Sequence, residues 1–320
     1  MIILATNEGV MVASENDGWK ISWRKFVEKA FTAVAAQGNI LLAGTKTGIF
    51  RSEDAGQTWQ EANTGLAYPH IRWLAFHPDT PGCAFAGSEP ASIHISEDYG
   101  KTWRECSEVA QLRDRFQWSL PYSPEAGCVR GFAGRGSRVY AAVEVGGVLR
   151  SDDGGQSWRL AEGSSGQPNF NRPTEPMIHA DVHSIYVHPS STELVYAPTG
   201  GGFYRSTDGG KTWRLHYDCY VRAAWIDPEN SQHILLGPAD GVDRGGRIEE
   251  SRDGGETWAM SSDGLPVPWP RHMVERFEQA GEYMIAVLSN GEVLSRPIQG
   301  GTWKKILEDS AEVNAVTSVT

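Results

Sequence analysis

Cysteine is scarce in this chain: Cys83, Cys106, Cys128 and Cys219 are scattered and show no C-x-x-C spacing. That pattern argues against a zinc or disulfide framework and reads as reduced thiols, buried as small apolar residues, in a cytoplasmic protein. Long apolar runs are missing as well, and none nears the roughly 20 residues that cross a bilayer as a helix. The opening stretch Met1-Ile-Ile-Leu-Ala-Thr6 enters a strand-like run with no basic leader before it. Positive charge is short, with 29 Lys and Arg against 40 Asp and Glu, a net charge of −11 and a pI near 5.3. Such a surface has no general attraction for a phosphate backbone or an anionic bilayer, so neither nucleic acid nor membrane is expected as a partner. No G-x-S-x-G elbow occurs, and the Gly-rich pieces Thr199-Gly-Gly-Gly202 and 131–136 do not join a strand to a helix. They read as hairpin glycines rather than phosphate loops, and no cofactor is expected.

Glycine and tryptophan, in contrast, are plentiful at 36 and 12 of 320 residues, which suits many short strands joined by tight turns. One pattern recurs five times with invariant internal spacing. It runs from Ser52 to Trp59 and reappears at 96–103, 151–158, 206–213 and 251–258 as Ser-x-Asp-x-Gly-x-Thr/Ser-Trp. Two worn copies, 295–303 and 14–23, bring the count to seven. Each position has a mechanical reason: Ser and Asp oxygens accept hydrogen bonds from turn amides, Gly permits a positive φ, and Trp wedges between neighbouring sheets. Upstream of each box lie further strand-like runs, as in Ile71–Phe76, 83–87 and Ile93–Ser96, giving four strands per unit. Repeats of roughly 36 to 55 residues with four strands mark propeller blades, which bury their faces only against one another.

These boxes resemble the Asp-box, or BNR repeat, of sialidases, xyloglucanases, sortilin-type receptors and the photosystem II assembly factor, and the resemblance spans nearly the whole chain. It implies an all-β, seven-bladed β-propeller of four-stranded antiparallel blades over residues 1–320, with the boxes on the periphery, away from any active site. The first unit starts at what should be its second strand, and 313–319 has no blade of its own. The tail is therefore expected to supply the innermost strand of the first blade, a clasp that hides exposed edges.

Ligands of propellers sit where the innermost strands begin. Aligning those starts gives a column of Arg72, Arg130, His183, Arg222, Met273 and Asn314, with Thr32 as the seventh member. Three arginines and a histidine suit a carboxylate, phosphate or sulfate. The competing reading has each arginine tie blades together through carboxylates such as Glu89 and Glu144. Glu89 and Glu144 themselves, with His70, Arg271 and His272, which lead into innermost strands, complete the candidate ligand set. Trp118 joins them from the long insertion before Arg130, which with a second insertion (163–179) is a candidate lid. His179, Asp181 and His183 alternate along an extended segment and form the candidate catalytic group. Two histidines and a carboxylate can share proton transfer or bind a divalent metal; a metal would need ligands from other blades, so proton transfer without metal is the expectation.

The resemblance sets tests for known activities. A sialidase-like site needs a Phe/Tyr-Arg-Ile-Pro motif, which Ile71-Arg72-Trp73 does not supply, and a xyloglucanase-like cleft lies between two propellers. The leading expectation is a cytoplasmic propeller that binds a small anionic molecule or sugar acid at the channel mouth, with lyase or hydrolase chemistry as an extension. The rivals are a scaffold that holds a protein partner, for which the Leu265–Pro270 loop with Trp269 offers a candidate patch, and a glycoside hydrolase of non-sialidase type.

Overall fold

The Ser-x-Asp boxes fold as their chemistry requires. In the computed structural model, which describes residues 1–122, 127–308 and 310–319, the Ser52 hydroxyl accepts the Gly56 amide at 2.8 Å and Asp54 accepts the Thr58 amide at 2.8 Å. Gly56 sits at φ +89°, a conformation that a side chain would strain. The same Ser-to-Gly bond closes the boxes at Ser96, Ser151, Ser206 and Ser251. Because the turns saturate the Asp oxygens, these carboxylates serve structure.

Each box joins the third strand of a blade to the fourth. Six blades run consecutively as antiparallel sheets at 33–61, 71–105, 128–160, 186–217, 220–260 and 274–306, here numbered blades 2 to 7. Blade 1 is composite: Val313–Ser318 pairs antiparallel with Ile2–Thr6, from Ile2 opposite Ser318 to Thr6 opposite Val313, and Gly9–Glu15 and Trp19–Lys25 complete the sheet. The C-terminal clasp is thus present as expected.

The core is divided into layers between blades. Along Ile2–Thr6 successive side chains leave opposite faces of the sheet. Ile2 and Leu4 therefore pack with Ile285 and Val287 of blade 7, while Ile3 and Ala5 pack with Phe31 and Leu41 at blade 2. The box tryptophans wedge into these layers; Trp103, Trp158 and Trp213 are buried.

The innermost strands surround a channel with unlike ends. Where these strands begin, a cavity of about 630 Å³ is rimmed by charged side chains. Where they finish, a cavity of about 440 Å³ is walled by Trp73, Phe76, Phe85, Phe132, Trp225 and Phe277. His77 and His188 lie at this second end as the turn residues expected there, accepting the Asp79 and Ser190 amides at 3.1 and 3.2 Å.

Candidate functional site at the channel mouth

The mouth is built from one repeated irregularity. In blades 3, 4, 6, 7 and 1 the innermost strand slips register by a residue just after its start, which leaves Arg72, Arg130, Arg222, Glu275 and Asn314 supernumerary to the ladder. A β-bulge re-aims the extra side chain. His183 in blade 5 and Thr32 in blade 2 hold the corresponding places in their blades. The blade 7 position is therefore Glu275, two residues beyond the expected Met273, which is buried. The sequence signal was Val274-Glu-Arg-Phe277, which matches Ile71-Arg-Trp-Leu74 better than the segment starting at His272 does.

Asn314, Thr32 and His183 of this wheel tie neighbouring blades. The Asn314 amide donates to the Phe31 carbonyl at 2.8 Å, the Thr32 hydroxyl to the Ile71 carbonyl at 2.5 Å, and His183 Nδ1 lies 2.7 Å from the Val221 carbonyl oxygen. The charged members form a network instead. Arg72 pairs with Glu89 at 2.7 Å, and Arg130 bridges Glu144 at 3.2 Å and Glu275 at 3.3 Å. Glu275 also pairs with Arg222, which approaches Asp243 of the 240–247 loop at 4.0 Å. His70 stands 4.0 Å from Glu89. The arginines thus meet carboxylates, as the competing reading expected: Arg72 and Arg130 each pair within their own blade, and Glu275 of blade 7 ties Arg222 of blade 6 and, across the channel, Arg130 of blade 4.

Electrostatics follow from this packing. Burial alone would raise the Glu144 carboxyl, but Arg130 and His183 overcome it and hold the group at about 2. Glu275 is likewise held low against its burial by Arg222 and Arg130. Arg276, one residue past the wheel, was not among the expected site residues. Its guanidinium lies 3.8 Å over the Trp73 ring. Burial first, then the charge of Arg130, pull it down to about 10. Among the described residues it has no hydrogen-bond acceptor and no carboxylate within 4 Å.

His179, Asp181 and His183 are only partly brought together. His183 Nε2 and Asp181 Oδ2 are 3.1 Å apart, with the Tyr220 hydroxyl 3.3 Å from the same nitrogen. His179 turns away to the Phe170 carbonyl at 3.1 Å and accepts the Asp181 amide, because the chain bends at Ala180 rather than extending as a strand. The His183 side chain is 0% exposed, so it does not reach the cavity as a general base for a bound substrate. Glu144 of blade 4 joins Asp181 and His183 with ligand atoms within 4.8 Å of one another.

The candidate lids divide. The first insertion contains a helix, Ser107–Phe116, packed at the outer edge of blades 3 and 4. Its apolar spacing, Val109, Leu112 and Phe116, was the overlooked signal. Trp118 is buried, bonded to the Gly166 carbonyl at 2.8 Å, and does not line the cavity. Among the described residues of this insertion, only Tyr122 lines the cavity. The second insertion contributes nothing to the cavity wall among the described residues. Arg271 is exposed and His272 lies tilted against Trp269, ring centroids 5.1 Å apart, neither lining the cavity. Trp269 is itself buried in the core of blades 6 and 7, which removes the candidate apolar patch.

Comparison with known proteins agrees with this architecture. The family model described as BNR/Asp-box repeat matches residues 204–215. No curated protein sequence matches the chain. Among solved structures, an ancestral GH74 enzyme superposes with a TM-score of 0.64 at 16% identity over 95% of this chain. The chain spans 40% of that enzyme's length. YCF48 bound to D1 peptide gives 0.60 at 16% identity, covering 92% of this chain and 88% of the other. YCF48 from Cyanidioschyzon merolae gives 0.60 at 14%, covering 96% and 91%. At such identities the likeness is one of fold.

Proposed function

Taking the chain as a seven-bladed BNR-repeat propeller, we propose that its channel mouth binds a small molecule bearing a carboxylate or another compact anion. Arg276 carries this reading. A guanidinium held against Trp73, beside Arg130 and, among the described residues, without an acceptor, is a donor fork open to one. The cavity wall adds to it, with five cationic side chains (Lys46, Arg72, Arg130, Arg222 and Arg276) against two carboxylates (Glu144 and Glu275), on a protein of net charge −11. An anion placed there would restore local neutrality and focus its own approach. The reading is one of binding rather than turnover. Hydrolysis by a carboxyl pair asks one partner to stay protonated near neutrality, whereas Glu144 and Glu275 are both held below the ordinary carboxylate value. The four unpaired cysteines suit a reducing compartment, the cytoplasm being the setting we propose.

A second reading has support from the similarity to YCF48 bound to D1 peptide: a protein segment that presents a carboxylate to the same guanidinium. Thermal unfolding with and without sugar acids, dicarboxylates, phosphate and short acidic peptides separates these readings. A ligand at about 100 times its dissociation constant adds roughly 2.7 kcal/mol. We expect one anion class to raise the melting temperature of the wild type and to lose that effect in Arg276→Gln. Without ligand, the variant should melt no lower than wild type, because it removes a charge that burial disfavours. No response to any anion would sink the proposal, and a response to peptides alone would move it to the protein partner.

A further inference from the structure

The geometry points to a second site below the mouth, in which Glu144, Asp181 and His183 hold a divalent transition-metal cation. This goes beyond the anion reading and does not depend on it. The argument starts from His183. Its Nδ1 lies 2.7 Å from the Val221 carbonyl oxygen. That oxygen offers only lone pairs, so the nitrogen carries the proton. A neutral ring then presents a lone pair at Nε2, yet Nε2 faces Asp181 Oδ2 at 3.1 Å, another lone-pair atom. Something positive must lie between them: a second proton on the ring, or a cation. Asp181 supplies an independent observation. The residue is 7% exposed, and its other oxygen, Oδ1, is buried with no hydrogen-bond partner. A second ring proton satisfies Oδ2 alone and leaves Oδ1 orphaned, which is costly in a buried carboxylate. A cation accepts a carboxylate through either oxygen or both.

Dimensions and charge agree. Ligand atoms about 2.0–2.2 Å from a tetrahedral zinc stand roughly 3.3 Å from one another, and Nε2 and Oδ2 already do so at 3.1 Å. The Glu144 carboxylate lies with them inside 4.8 Å, wider than the roughly 4.4 Å that two ligands of one ion can span, so a small side-chain rotation of Glu144 toward His183 completes the set. It comes from blade 4 where the other two come from the start of blade 5, which is the ligand from another blade that the sequence pattern lacked. Two carboxylates neutralise a divalent ion, while Arg130, also bonded to Glu144, shares Glu275 with Arg222 as a second counter-charge. An imidazole whose Nδ1–H is fixed by a backbone carbonyl is oriented as metal-bound histidines are. A nitrogen and two carboxylates suit Zn²⁺, Mn²⁺ or Fe²⁺ better than Ca²⁺. All three residues are buried, so the ion would stitch blades 4 and 5 together.

The test is calorimetric titration of the chelator-treated chain with Zn²⁺, in buffer free of anionic ligands, alongside visible absorption with Co²⁺ as a coordination probe. We expect one equivalent bound, a raised melting temperature, and Co²⁺ d–d bands. At least tenfold weaker binding is expected in Asp181→Asn and Glu144→Gln, each confirmed folded by circular dichroism, while Arg276→Gln binds as wild type. Should both variants fail to fold, the Co²⁺ bands of wild type and their disappearance on Zn²⁺ competition decide the matter. No stoichiometric uptake by the folded wild type, or uptake undiminished in folded variants, overturns the site and leaves a doubly protonated His183 paired with Asp181.

Discussion

The two ends of the channel are made by the same strands and have opposite characters. At the mouth, five cations and two carboxylates share a cavity of about 630 Å³; at the other end, aromatic rings wall about 440 Å³. Trp73 divides them, presenting its face to Arg276 while lining the apolar cavity. The change of character takes one or two residues: Arg72 precedes Trp73, and Glu275 precedes Phe277 by two. The comparison teaches that most of the mouth's charge enters at the bulge, where the ladder is already interrupted, with Arg276 and Glu278 as the charged residues that the regular pairing beyond it also carries.

If the apolar end carries stability and the mouth carries recognition, substitutions at the two should separate. The largest loss is expected for Phe85→Ala. Its ring stacks at 5.3 Å on Phe132 and is 1% exposed, and removing such a side chain costs about 3–5 kcal/mol. Denaturant unfolding should show this loss with the anion response of the mouth intact; an altered response would break the separation. Next comes Glu275→Gln, which leaves Arg130 and Arg222 facing each other without their shared carboxylate. We expect about 3 kcal/mol of destabilisation together with tighter anion binding, read by melting with and without ligand.

Acidification sharpens the contrast, because one carboxyl at each end titrates with opposite sign. Glu275 is held below its ordinary value, so its contribution is present above about pH 4.3 and lost as pH falls through the lowered folded value. Glu278, beside the apolar cavity, is raised by burial, only partly opposed by the Ser318 amide at 2.6 Å. Its contribution is present below the ordinary value and lost as pH rises through the raised one. Glu278→Gln should therefore stabilise the protein at pH 7 and have little effect at pH 4, whereas Glu275→Gln should destabilise at pH 7 and converge on wild type in acid. Parallel pH profiles for the two variants would refute the assignment. The smallest effect belongs to the rim, where Asp208→Ala removes the acceptor of the Thr212 amide at 2.9 Å. A loss of about 1 kcal/mol, with neither channel end affected, is expected by the same assays.

The propeller was legible in the sequence because the boxes repeat with fixed internal spacing and each residue in them has one mechanical task. The clasp was legible because a strand at 313–319 lacked partners. The site was legible only in part. Column alignment found Arg72, Arg130, Arg222 and His183, since an innermost strand announces its start by an apolar residue before the charged one. It missed Glu275 because the alignment began the blade 7 strand at His272, whereas the strand starts at Val274. Pairing of Arg130 with Glu275 lay beyond reach, because 145 residues separate them and only ring closure sets blade 4 opposite blade 7. Arg276 was overlooked for a related reason: an arginine next to a carboxylate in sequence looks paired, and here the fold gives that carboxylate to two others.

The slipped register has a consequence for how such a ring changes over time. A residue that is surplus to the ladder can be exchanged without breaking a strand-to-strand hydrogen bond, so each blade offers the channel one letter that is spelled independently of its grammar. In this chain Thr32, His183 and Asn314 hold the wheel true by gripping the neighbouring blade. Arg72, Arg130, Arg222 and Glu275 are the letters left to write with, and a different four-letter word would address the same mouth to a different guest.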